Sequence, residues 1–216
     1  MADFLMIVVL TLILATLYQS VSSSRLIERM AVAELQQKLL KNMSSGDANT
    51  PDAKILSDAF RNGQVKQTYV DGDLQRFWFA GTLFFNSQDS SKITLNQGVS
   101  VLTAFGEVLK KYEGDPSDLG SGLYKRVIVE GHAGRSEGDS DATWMYSLLR
   151  ANSAVNILQS RSDLPGGLLE ASGRGKWIAS DIILRSQSET DRNRRIEIVI
   201  VYSGKRAFQY LQNSGH

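Results

Sequence analysis

Two histidines, His132 and His216, and no cysteine leave the chain little with which to hold a metal or form a thiol nucleophile. A zinc site would have to be assembled largely from carboxylates, which is uncommon. Gly173-Arg174-Gly175-Lys176 has the composition of a phosphate loop, but that loop needs a glycine where this chain has Glu170. None of the serines stands in a G-x-S-x-G elbow. No enzyme active site is legible, and no cofactor is expected. What remains is a linked set of polar and glycine residues in the second half. Gly131-His132-Ala133-Gly134 follows the run Val127-Ile128-Val129-Glu130, and Arg150 stands in Ser147-Leu148-Leu149-Arg150-Ala151. Ala171-Ser172-Gly173-Arg174-Gly175 comes next, then Asp191-Arg192-Asn193-Arg194-Arg195 ahead of a last apolar run.

These clusters sit at the ends of readable elements. Residues 125–130 (KRVIVE) predict a strand, and 195–202 (RIEIVIVY) a terminal one. Between them a helix is expected from about Ala142 to Gln159, with Met145, Leu148, Ala151, Val155 and Leu158 as its inward stripe. Residues 168–172 suggest a short strand. Upstream, the aromatic run 74–85 (LQRFWFAGTLFF) reads as extended, with Gly81 allowing a bend. Thr94 and Gln97 form a candidate capping box for a helix through Tyr112, with a core stripe of Val99, Leu102, Phe105 and Val108. Strands alternating with helices predict an α/β fold, an α+β sandwich with the helices packed on one sheet.

The N-terminal region is different in kind. From Phe4 to Leu17 only Thr11 and Thr16 interrupt the apolar residues, and Tyr18 stands where an interfacial aromatic would. A transmembrane anchor over 1–21 is expected, since a spanning helix needs about 20 residues. A cleavable signal peptide is the competing reading: Val21 and Ser23 suit a cut, while Met1–Asp3 lacks the customary basic residue. Residues 22–43 predict a stalk helix in which Val32, Leu35 and Leu39 either line a seam between two copies or cover a solvated surface. Residues 44–53 (SSGDANTPDA) read as a linker, and 54–212 as the globular domain. A net charge of +1 gives no reason to expect nucleic acid as a partner.

In order and spacing, the four clusters resemble those of the OmpA-like peptidoglycan-binding domain, which outer-membrane anchors share with flagellar stator B-subunits of the MotB type. The family pattern runs strand–GHTD, LSxxRAxxV, GxG and NRRVE, matched here over roughly residues 80–202. The resemblance implies a βαβαβ-type domain with a mixed sheet, and a ligand: the diaminopimelate portion of the peptidoglycan stem peptide. Arg150 matches the ligand-binding arginine, and a planar guanidinium suits a carboxylate through two parallel hydrogen bonds. Its other reading is an arginine paired with an acid of its own chain. Gly131 and its following N–H groups, His132, Gly134, Asn193 and Arg194 match other positions around that ligand, with His132 expected to hold the loop and Arg195 to be structural. The family has an acid where this chain has Gly134, and Glu137, Asp139 or Asp141 could supply one from the loop.

The run Ala2-Asp3-Phe4-Leu5-Met6 also looks like the start of the stator B-subunit membrane helix, where an acid carries the translocated ion. The architecture is similar to the ZorB subunit of Zorya anti-phage systems as well. These likenesses imply a proton-driven inner-membrane motor, with a homodimer and a multi-span MotA/ZorA-like subunit as partners and the C-terminal domain in the periplasm. Arg25 and Arg29 beyond the span favour the opposite orientation by the positive-inside tendency. The alternatives are a passive membrane-to-wall tether, and an Asp3 that serves only the helix N-terminus.

Overall fold

The computed structural model describes residues 2–45, 51–85, 91–113, 122–134, 137, 139–176 and 193–214. Five helices accompany one mixed sheet among them. In chain order these are α1 (Ala2–Ser45), α2 (Pro51–Arg61), β1 (Val65–Asp71), β2 (Leu74–Ala80), α3 (Asn96–Glu113), β3 (Tyr124–His132), α4 (Ser140–Ser162), β4 (Leu169–Gly173), β5 (Arg195–Tyr202) and α5 (Gly204–Ser214). The strand order is β1-β2-β5-β3-β4. β5 lies antiparallel to both β2 and β3, so those two run the same way with the last strand inserted between them. β4 closes the sheet parallel to β3, as a strand returning through the α4 crossover must.

The helix-bearing face is apolar in strict alternation: Phe77 and Phe79 on β2, Val127 and Val129 on β3, and Ile196, Ile198 and Ile200 on β5 are all buried. Phe105 of α3 packs edge-on against Phe77 and Phe79, with ring centroids 5.3 and 5.2 Å away. The opposite face carries a polar set, Arg76, Glu130, His132, Arg195 and Glu197.

Several elements differ from the sequence reading. The stretch 74–85 is not one strand: β2 stops at Ala80 and the chain turns through a short 3-10 helix at Gly81–Leu83. A side chain at Gly81 would place its Cβ 2.1 Å from the Arg194 carbonyl, so the turn depends on glycine. The α3 core stripe is Val101, Leu102, Phe105 and Leu109, with Val99 and Val108 at its edge. Thr94 does not cap that helix; its hydroxyl lies 3.5 Å from the Phe84 carbonyl. β1, α2 and α5 were not anticipated. For β1 the signal was present, because Gly72-Asp73 is a two-residue hairpin turn pair between Asp71 and Leu74, and Gly72 adopts φ 54.

The largest difference concerns α1. Its C-terminal half is neither a seam between copies nor a solvated stalk: Val32, Leu35, Leu39 and Met43 are buried in the core cluster of their own domain. Gln36 donates to the carbonyls of Gly72 (3.2 Å) and Leu74 (3.3 Å), and its own carbonyl accepts from Gln75 (3.1 Å). The expected linker is helical at both ends, since α1 runs to Ser45 and α2 begins at Pro51. Proline is well placed there, at the first turn of a helix. At the other end of α1, every described side chain from Met6 to Tyr18 is exposed. Among the described residues no helix is long and apolar enough to cross a membrane; the side chains of residues 1–5 and of Val8 lie outside the description.

Candidate ligand-binding site

The site forms where β3 ends and α4 passes over it. Close approach comes first, and two glycines permit it. A Cβ at Gly131 would lie 1.9 Å from the Ser147 carbonyl, and one at Gly173 would lie 2.8 Å from the Ser147 hydroxyl. With both side chains absent, α4 settles onto the β3–β4 edge. Ser147 then fastens the third cluster, its hydroxyl accepting from the Gly175 amide at 2.9 Å.

This seating turns a polar face of α4 inward. Thr143, Ser147 and Arg150 are buried, followed by Ala151, Ala154 and Leu158. Met145 and Leu148, expected in the inward stripe, are instead exposed, together with Trp144 and Leu149. Ala151 and Leu158 are inward as expected, and Val155 is half-buried.

Arg150 is the centre of the site and is completely buried, at 0% exposure. Its guanidinium lies over the Phe85 ring, 4.6 Å from the centroid, and Nη1 donates to the His132 carbonyl at 3.2 Å. The forked face grips Glu137: Nη1 donates to Oε2 at 2.6 Å and Nη2 to Oε1 at 2.7 Å. Glu137 Oε2 also accepts the Gly134 amide at 2.6 Å, and Arg194 Nη1 stands 3.9 Å from Oε1. One buried carboxylate is thus held by a bidentate guanidinium, a backbone N–H and a second arginine. Charge-assisted bonds of this kind are the stronger class of hydrogen bond.

Of the residues expected at the site, Arg150, Gly134, Arg194 and His132 surround this carboxylate, His132 through its carbonyl rather than its ring. Gly131 acts beneath them as the contact point for α4. Asn193 is buried beside them, and its carbonyl accepts from Arg195 at 3.0 Å. Of the three loop acids, Glu137 is the one that reaches Arg150. Asp139 caps α4, accepting the Ala142 amide at 2.8 Å, and Asp141 is exposed in the first turn. Asp3 lies in the first turn of α1, and its side chain is outside the description. Phe85 was not foreseen as the platform for Arg150, because only the turn at Gly81 brings it there.

The His132 ring points to the opposite face of the sheet. Its Nε2 is 3.9 Å from Glu130 Oε2 and 3.8 Å from Glu197 Oε1, the geometry of a possible metal triad. The surrounding charges argue against a cation. Arg76 bridges Glu130 (2.7 Å) and Glu197 (2.5 Å), Arg195 holds Glu197 at 2.5 Å, and Arg174 pairs with Glu130. Three guanidiniums already neutralise two carboxylates, so this is an ion-pair ladder across β2, β5, β3 and the end of β4. Burial, and after it Arg195, pushes the His132 ring down to about 2, so it is neutral at ordinary pH. The ladder also accounts for Arg174 and for Arg195, which is structural.

No protein-family model matches the chain, and no curated protein matches it. Solved structures do. The chain is similar to the cell wall anchor of the T6SS from Pseudomonas aeruginosa, at 21% identity and a TM-score of 0.52, over 70% of this chain and 96% of that one. It is similar to a MotB-like protein from Desulfovibrio vulgaris at 15% identity and a TM-score of 0.55, over 82% of this chain and 99% of that one. A third is the periplasmic domain of Helicobacter pylori MotB, at 15% identity and a TM-score of 0.51, over 73% and 93% respectively. The mixed five-stranded sheet with its helices is therefore the fold that these cell wall anchor and MotB structures share.

Proposed function

We propose that this chain anchors a membrane complex to the bacterial cell wall by binding the diaminopimelate carboxylate of peptidoglycan at Arg150. The observation that carries this reading is the carboxylate cradle itself: a buried, bidentate guanidinium with Arg194 and the Gly134 amide around one carboxylate group. The fold shared with a T6SS cell wall anchor supports it. The role is binding and not catalysis.

At a finer level, the chain is the B-subunit of a proton-driven inner-membrane stator of the MotB/ZorB type. It spans the membrane once, carries its domain in the periplasm, and works as a homodimer with a multi-span A-type subunit. Asp3 is the ion-carrying acid. Support comes from the exposed apolar side chains of α1 and from the continuity of that helix into the domain core. Asp3→Asn tests the motor directly, read as ion flux through the complex assembled with its A-subunit. Flux abolished at unchanged protein level is expected; full flux in the variant leaves the passive tether as the correct role.

Anchoring is tested by co-sedimentation of the full chain, in mild detergent, with purified sacculi. The control is Arg150→Met combined with Glu137→Gln, which avoids leaving an unpaired buried carboxylate. The wild type is expected to pellet, and the double variant, shown folded by circular dichroism, to remain in the supernatant. Equal pelleting of the two would remove Arg150 from the binding site and the reading with it.

A further inference from the structure

The cradle is not vacant. Glu137 fills it with every feature of a bound ligand: both carboxylate oxygens on the Arg150 fork, one of them also on the Gly134 amide, and the side chain at 1% exposure. We propose that Glu137 is an internal surrogate ligand, a latch that closes the Arg150 pocket in the free protein and must withdraw before an external carboxylate enters. This deepens the wall-binding reading and rests on it for the identity of the ligand.

Three observations carry the inference. First, the Arg150 guanidinium is positioned from behind, by the Phe85 ring and the His132 carbonyl, independently of Glu137. Withdrawal of the acid leaves a fork already aimed, which is the arrangement a binding site needs. Second, the Nη1–Nη2 edge of Arg150 and the Gly134 amide, which Glu137 occupies, are donors an external carboxylate would use, so the two compete for that edge. Third, Arg194 Nη1 stands 3.9 Å from the same carboxylate, so the pocket turns a second guanidinium toward whatever anion occupies it. Glu137 comes from the short connection between β3 and α4, held by a turn in which its amide donates to the Gly134 carbonyl at 3.3 Å. It is not part of a strand or helix whose integrity depends on it. The apparent dissociation constant for an external ligand is the intrinsic one divided by the fraction of protein that is open. A latch closed in nine molecules of ten would therefore weaken binding about tenfold.

The test uses the full chain in detergent, two single variants and the control Glu137→Ala/Arg150→Met. Glu137→Ala empties the cradle; Glu137→Gln keeps its shape and removes the charge, and serves if the alanine variant does not fold. Thermal unfolding is followed in sodium acetate against equal sodium chloride, and sacculus binding is titrated to half-saturation. Acetate is expected to raise the melting temperature of Glu137→Ala by several degrees, and to leave both the wild type and Glu137→Ala/Arg150→Met unchanged. Half-saturation with sacculi is expected at about tenfold lower sacculus concentration for the two single variants than for wild type. If the single variants bind sacculi no better than wild type, or worse, and acetate has no selective effect, the latch is overturned while wall binding by the wild type stands. A loss of binding on removing Glu137 would make it part of the ligand site. Selective rescue by acetate with no sacculus binding by any form would uphold the latch and overturn the wall as the source of the carboxylate.

Discussion

Arginine 150 shows how much a single side chain's surroundings decide. A surface ion pair between arginine and glutamate contributes little, but here both partners are essentially without solvent. Breaking such a pair from one side typically costs about 3–5 kcal/mol, because the orphaned charge stays buried. The pair is therefore a strong constraint on the β3–α4 connection and on any ligand that competes for it. A second carboxylate is tuned in a different way. Glu113, at the end of α3, is half-buried with one carboxylate oxygen lacking a hydrogen-bond partner, and burial pushes its pKa up to about 7. Its ordinary value is 4.5, so the folded state holds this proton more tightly than the unfolded chain. Its contribution is most favourable below about pH 4.5 and is lost as pH rises towards 7. Glu113→Gln is expected to equal wild type in stability at pH 4 and to exceed it at pH 8. After allowance for solvent screening the gain is about 1 kcal/mol, read from urea unfolding at the two pH values. A gain of the same size at both would refute the assignment.

At the scale of elements, α4 and α1 each reverse an expectation for a physical reason. Helical periodicity places Met145 and Leu148 with Ala151 and Leu158 on one stripe, and an apolar stripe ordinarily faces the core. In α4 the rotation is set instead by Gly131 and Gly173, which admit the helix backbone only with Ser147 against the sheet. Arg150 follows inward by its place one turn on. In α1, the residues suited to a coiled-coil seam equally suit a core, and α5, α2 and α3 pack against α1 to receive them. Leu39→Ala is expected to cost about 2–5 kcal/mol in chemical denaturation of the full chain, the usual range for a buried leucine. A loss below 0.5 kcal/mol, typical of surface positions, would return α1 to the role of a free stalk.

At the scale of the whole molecule, α1 is one uninterrupted helix whose two parts have different surroundings, solvent-exposed first and buried in the domain core later. Its 44 residues extend roughly 66 Å at about 1.5 Å per residue. The first part exposes apolar side chains, and the buried part begins at Ala31. On the proposed placement, with lipid up to residue 21, the core of the domain starts only about 15 Å beyond the membrane. On that placement, a helix without a break would carry rotation or tilt of the proposed membrane segment into the sheet.

How much of this was legible before folding depends on whether the information was local. The fold was readable because periodicity, strand propensity and the four clusters in register are properties of short segments: β3, β5, α3 and α4 all lie close to where the residues indicate. The edge strand β1 escaped because its solvent-facing residues lack the alternation of a half-buried strand, and α2 and α5 because they are short. The sequence by itself determined the apolar N-terminal run, the absence of thiol chemistry, the α+β class and the candidacy of Arg150. It also marked Glu137 as one of three acids near the missing one. Only the tertiary structure decided between Glu137, Asp139 and Asp141, turned the His132 ring away from the site, and drew Val32, Leu35 and Leu39 into the core. Those outcomes turn on distances between segments far apart in the chain: how closely α4 approaches Gly131, where Phe85 lands after the turn at Gly81, and which surface lies beside α1. No local pattern carries such distances, because they arise from packing the elements together.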